Sequence, residues 1–272
     1  FFFFKQKTAY EIPKRDWSSD VCSSDLSGPS SRYNRRQRTV GRRPPGDSAG
    51  DPDAIVDPMT SKTTPPLVHI ETFGCQMNES DSELVRSLLK QDGFAFTEDR
   101  ERADVMLMNT CAIRENAHNK VYGHLGELQV VKKERPLVVG VLGCMAQSLK
   151  DELTKKVPLI DVLAGPDAYR QLPMLITNAL QAQEQGFAKK AFALDLSEYE
   201  TYDGVLPDRE GGVNAWITVM RGCDNFCSFC VVPYTRGRER SREPQSVLFE
   251  AQQAASLGYK QITLLGQNEI GR

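Results

Sequence analysis

The chain has 272 residues, 40% apolar and 26% charged, with a formal net charge of −2. That length allows one or two domains with a sizeable core, and the near-neutral balance excludes a nucleic-acid binder announced by bulk charge alone. No apolar run reaches membrane-spanning length, which predicts no integral membrane protein, and the seven cysteines predict a reducing, cytoplasmic setting rather than a disulfide scaffold.

In chain order, residues 1–26 lack any element pattern and read as non-native sequence, like translated adapter fused to a reading frame; Cys22 lies inside it and is not expected to be a ligand. Residues 27–66 are rich in Ser, Pro, Gly and Arg and predict a disordered extension, because they cannot bury enough apolar surface to offset the entropy of ordering. Met59 is the expected native start.

From Leu67 the pattern becomes regular, and residues 67–196 predict an α/β domain. Leu67–Phe73 reads as a buried strand. Ser80-Asp81-Ser82-Glu83 has the form of a capping box ahead of a helix carrying Leu84, Val85, Leu88 and Leu89. Val105–Met108 is the next strand, and Ala117, Val121, Leu125 and Leu128 mark the helix after it. Leu137–Leu142 is a third strand, followed by a charged helix near Ser148–Lys156. Leu159–Ala164 is a fourth, and Tyr169–Leu180 is a helix broken or bent at Pro173. Strand–helix alternation at this spacing predicts a parallel sheet covered by helices. Cys75, Cys111 and Cys144 each fall just after a strand. Loops leaving the carboxyl ends of parallel strands share one edge, so the three thiols are expected to converge there. Buried free cysteine is common as a small hydrophobe, and one such placement would mean little; three favour a metal cluster.

Residues 197–213 predict a linker, with Pro207 and the Gly211-Gly212 pair. Residues 214–268 then begin a second domain: a strand Trp216–Met220, a helix from Gln245 to Leu257 ended by Gly258, and a strand Gln261–Leu265. Between strand and helix lies Cys223-x3-Cys227-x2-Cys230. Three soft thiolates this close bind a soft metal or an iron–sulfur cluster, and no fourth Cys or His follows to close a structural zinc site. Arg236, Arg238, Arg240 and Arg242 alternate along the next segment, readable either as a solvated charged loop or as a phosphate contact. His69, His118 and His124 read as ordinary strand or helix residues. Residues 269–272 read as a non-native end, with the chain expected to stop in mid-fold.

The Cys-x3-Cys-x2-Cys stretch resembles the radical S-adenosylmethionine (SAM) enzymes. Together with Glu71–Asn78, Asn109–Glu115, Leu142–Ala146 and Val231–Arg242, it is similar to the methylthiotransferase family, in its branch acting on isopentenyladenosine in tRNA. The resemblance spans about Val68 to Asn268. It implies an amino-terminal methylthiotransferase domain followed by the start of a radical-SAM partial β/α barrel. It implies that Cys223, Cys227 and Cys230 hold a [4Fe-4S] cluster whose open iron chelates SAM, and that the radical formed takes hydrogen from carbon 2 of the adenine. It implies a second [4Fe-4S] cluster on Cys75, Cys111 and Cys144, which presents sulfur, and SAM contact by Gly266, Gln267 and Asn268. The partners implied are a tRNA bearing isopentenyladenosine and an electron donor such as a flavodoxin or ferredoxin, and no membrane. Other readings keep the chemistry but take a ribosomal-protein aspartate or a threonyl-carbamoylated adenosine, or treat the stretch as a non-catalytic iron–sulfur module.

Overall fold

The computed structural model describes residues 64–112, 115–187 and 190–267, with the side chains of 115–117 left aside. The segments read as non-native or extended up to residue 63, together with Cys22, Met59, the Ala117 side chain, Asn268 and 269–272, lie outside the described residues.

The amino-terminal part runs β1 (Leu67–Phe73), α1 (Gln76–Gln91), β2 (Ala95–Phe96), β3 (Val105–Thr110), α2 (Glu115–Glu134), β4 (Val138–Gly143), α3 (Cys144–Ser148), α4 (Lys150–Lys156), β5 (Val162–Ala164), α5 (Leu172–Glu184) and β6 (Ala191–Ala193). The strands form one parallel sheet in the order β2-β1-β3-β4-β5-β6. β3 and β4 are buried along their whole length, as central parallel strands must be when helices cover both faces. Alternation along β3 divides the core. Val105 and Leu107 face the α1 and α5 side with Val85, Leu89 and Ile176, whereas Met106 and Met108 face Val121, Leu125 and Leu153 of α2 and α4.

Several local expectations shift for physical reasons. α1 begins at Gln76, so Ser80–Glu83 lies inside the helix rather than at its cap; the start is set by the extended backbone of Cys75, whose carbonyl accepts from the Asn78 N–H at 2.8 Å. Pro173 sits in the first turn of α5, where its missing N–H costs nothing, so it starts the helix after a short 3₁₀ turn at Tyr169–Gln171 instead of bending it. The charged helix is α4, Lys150–Lys156, and a separate short helix, α3, precedes it directly from the end of β4. β2 and β6, of two and three residues, are too short to leave an alternation pattern.

The carboxyl-terminal part comprises β7 (Asn214–Thr218), β8 (Met220–Arg221), α6 (Val232–Thr235), β9 (Arg240–Ser241), α7 (Pro244–Ser256) and β10 (Gln261–Leu265). β7 and β10 pair in parallel across α7, one β/α unit of a barrel-like kind. β8 and β9 pair antiparallel and bracket the three-cysteine loop. The connection from β6 to β7 has no helix or strand, yet it is packed. Tyr202 is buried, donates to the Pro166 carbonyl at 2.9 Å, accepts from the Tyr169 N–H at 3.0 Å and stacks under the Arg221 guanidinium. All described residues fall in one unit, Lys62–Arg272.

Candidate metal centres

The register fixes where the first three cysteines meet. Phe73 pairs with Thr110 and Thr110 with Gly143, so the last residues of β1, β3 and β4 lie side by side. Cys75, Cys111 and Cys144 follow directly, and the Cys111 N–H donates to the Phe73 carbonyl at 2.9 Å. The Cys75 thiol is brought down to about 5, chiefly by a hydrogen bond with Cys111, against burial that pushes it up; the backbone at Asn78 and Met77 and the charge of Arg236 also lower it.

Two buried asparagines hold this edge. Asn78 donates to the Asn109 Oδ1 at 3.1 Å, and Asn109 returns bonds to the Asn78 carbonyl at 2.9 Å and to Ser82 Oγ at 3.0 Å. Asn78 Oδ1 also stands 3.3 Å from Cys75 Sγ. Gly143 has φ +86°, and a Cβ there would lie 2.4 Å from Asn109 Oδ1, so only glycine lets β4 turn into α3 beneath Cys144.

A third element reaches the same edge from the other half of the molecule. Arg236, at the end of α6, donates through Nε to Cys144 Sγ at 3.2 Å and through Nη2 to Asp81 at 2.7 Å. Arg221 donates to the other oxygen of Asp81 at 2.6 Å. Arg240 forks onto Asp167 at 2.8 and 3.0 Å. Arg242 binds Asp203 at 2.9 Å and Glu250 at 2.5 Å. The alternating arginines are therefore neither a solvated loop nor, at three of four positions, free for phosphate: Arg236, Arg240 and Arg242 are committed to internal ion pairs. Arg238 is the exposed one and pairs with Asp224 at 2.7 Å.

Cys223, Cys227 and Cys230 lie on the loop between β8 and β9, respectively buried, exposed and half-buried. Gly222 has φ +72°, and a Cβ there would fall 1.9 Å from the Arg238 carbonyl; the Cys223 N–H donates to the Gly237 carbonyl at 3.1 Å. The loop is thus pinned at its base by the arginine segment. Leu265 pairs with Thr218, and its carbonyl accepts from the Val219 N–H at 2.9 Å, so Gly266 and Gln267 leave β10 beside the strand that leads to this loop. Among the three histidines, His69 and His124 both face Glu71, and His118 stands 3.1 Å from the Cys111 carbonyl.

Among the described residues, no three His, Cys, Asp or Glu side chains stand close enough to hold a single metal ion. A four-iron cluster is larger than one ion and needs thiolates spaced around it, with donors facing its sulfurs. The sheet edge supplies the donor set: thiols from three loops, with Cys75 and Cys111 in hydrogen-bond reach of each other so that they would part around a cluster, and Arg236 alongside with its Nη1 buried without a hydrogen-bond partner. Sequence reasoning found the cysteines but not Asp81, Asn109 or the use of Arg236, whose only trace was polarity at positions that prove to be buried.

Residues 67–165 match the model of the uncharacterized protein family UPF0004, and residues 217–270 match the radical SAM superfamily. The chain thus carries a UPF0004 domain followed by a stretch of a radical SAM domain. It is 48% identical over 201 residues to a tRNA-2-methylthio-N(6)-dimethylallyladenosine synthase of Pelodictyon phaeoclathratiforme, a match covering 74% of this chain and 44% of that protein. A synthase of the same name from Amoebophilus asiaticus is 49% identical over 213 residues, covering 77% and 43%. The chain thus spans less than half the length of these curated relatives. Among solved structures, a radical SAM methyltransferase from Kitasatospora setae with tryptophan and a SAM analogue bound is similar at 15% identity and a TM-score of 0.48, covering 74% of this chain and 47% of that one. No helix among the described residues is long and apolar enough to cross a membrane.

Proposed function

We propose that this chain is the cluster-bearing part of a cytoplasmic tRNA methylthiotransferase acting on carbon 2 of N6-isopentenyladenosine. The observation that supports this best is the meeting of Cys75, Cys111 and Cys144 at one sheet edge, with Arg236 from beside the second cysteine loop bonded to Cys144. Cys223, Cys227 and Cys230 hold one [4Fe-4S] cluster and the first three cysteines a second. When bound, such groups supply an electron for SAM cleavage, fed by a flavodoxin- or ferredoxin-like donor, and sulfur for transfer.

The chain's own residues prepare this. Asn78 and Asn109 brace the edge that carries Cys75 and Cys111, Gly222 lets the second loop fold tightly onto Arg238, and the backbone at Gly266 and Gln267, leaving β10, is read as the contact for the amino-acid end of SAM. The tRNA substrate is supported by the names of the relatives, at 48% and 49% identity.

The test grafts residues 64–267 into one of those relatives in place of its own segment, in cells lacking their native enzyme. Nucleoside mass spectrometry is expected to find isopentenyladenosine converted to its methylthio form. An unmodified isopentenyladenosine peak with a methylthiolated ribosomal protein would move the substrate to the other branch.

A further inference from the structure

Arg236 is a buried cation set against the thiols of the sheet edge. It is 2% exposed, and it shares Asp81 with Arg221, itself 3% exposed. Two guanidinium groups share one carboxylate, so the other anionic groups within reach of Arg236 are the thiols of the sheet edge, Cys144 and the acidified Cys75, and burying a cation is costly unless an anion meets it. The Arg236 Nη1 lacks a hydrogen-bond partner, while its Nε already donates to Cys144 Sγ at 3.2 Å. The guanidinium is also held in place: the Arg236 carbonyl accepts from Arg240 Nη2 at 2.7 Å, and Arg240 is forked onto Asp167. A sulfur shell built on the thiols of this edge would supply the missing acceptor.

From this geometry we infer that Arg236 is a positioning residue for the amino-terminal cluster, donating hydrogen bonds to its sulfur shell and raising its reduction potential. The inference rests on the two-cluster reading above. Reduction adds negative charge to a cluster, and a fixed donor and cation beside the sulfurs favour the more negative state.

The test uses the full chain with Cys223, Cys227 and Cys230 replaced by Ala, so that one cluster remains. Its potential is read by redox titration followed by electron paramagnetic resonance, alongside iron content and thermal unfolding. The parent is expected to load about four irons; failure to do so defeats the two-cluster reading and this inference with it. Added Arg236→Met is expected to give a more negative potential than the parent, since Asp81 keeps Arg221 as its partner. Arg236→Lys, which keeps charge but loses the fork, is expected to fall between them. A purely structural arginine would lower the unfolding temperature and leave the potential alone. A potential equal to the parent's, in whichever of the two variants folds, overturns the proposal.

Discussion

Asp81 and Arg236, 155 positions apart in sequence, form a buried ion pair at 2.7 Å that locks the second cysteine-bearing segment onto the first helix of the sheet domain. Arg221 completes the arrangement on the other carboxylate oxygen. Breaking a buried pair from one side leaves the partner uncompensated, at a cost of about 3–5 kcal/mol. Asp81→Asn is therefore expected to lower the urea midpoint sharply. Arg238→Ala, at the exposed pair with Asp224, is expected to leave it within error. Equal midpoints for both variants would show that the buried network does not hold the two parts together.

How far this was legible from sequence depends on the range of the interaction. β1, β3 and β4 announce themselves by apolar runs between helical periodicities, and parallel topology alone carries Cys75, Cys111 and Cys144 to one edge. Asp81 sits in the polar run Asn78–Glu83, which by local chemistry resembles a cap; its burial follows from partners 140 and 155 residues away. The arginine segment was ambiguous for the same reason, since alternation of Arg with Gly, Glu and Ser fits a solvated loop until Asp81, Asp167 and Glu250 are placed against it.

Gly143 gives a second test. Its φ of +86° suits glycine alone, and a Cβ would meet Asn109 Oδ1 at 2.4 Å and the Thr110 carbonyl at 2.9 Å. Gly143→Ala is expected to cost about 1–3 kcal/mol in stability and to move Cys144, lowering iron uptake. Calorimetry and iron analysis of the same sample check both; unchanged uptake in a destabilised protein would separate the turn from the cluster site.

Glu83 predicts a pH dependence. Burial raises its carboxyl to about 7; the charge of Arg209 opposes that rise, and Glu250 and Glu79 add to it. Arg209 Nε lies 3.4 Å away without making a hydrogen bond to it, being engaged through Nη2 with Glu250. The folded state therefore holds this proton more tightly than the unfolded chain, whose carboxyl titrates near 4.5. Its contribution to stability is fully present below pH 4.5 and is lost as pH rises through about 7. With part of the side chain in water, the loss is put at about 2 kcal/mol. Glu83→Gln is expected to be more stable than the parent at pH 8, with the difference shrinking towards pH 5. A difference independent of pH would assign the effect to packing.

The number of clusters is the prediction on which the functional reading turns. If both sites are independent, anaerobic reconstitution of the chain should load about eight irons, and replacing Cys223, Cys227 and Cys230 with Ala should leave about four. Replacing Cys75, Cys111 and Cys144 should likewise leave about four, because the loop between β8 and β9 keeps its own bonds, Cys223 N–H to the Gly237 carbonyl and Arg238 to Asp224. Cys227 is exposed and Cys111 and Cys144 are buried, so a chelator is expected to remove iron from the second loop first, in two resolved phases of absorbance loss. A single phase removing all the iron at once, or a triple variant at 223, 227 and 230 that binds none, would mean the six cysteines serve one centre rather than two.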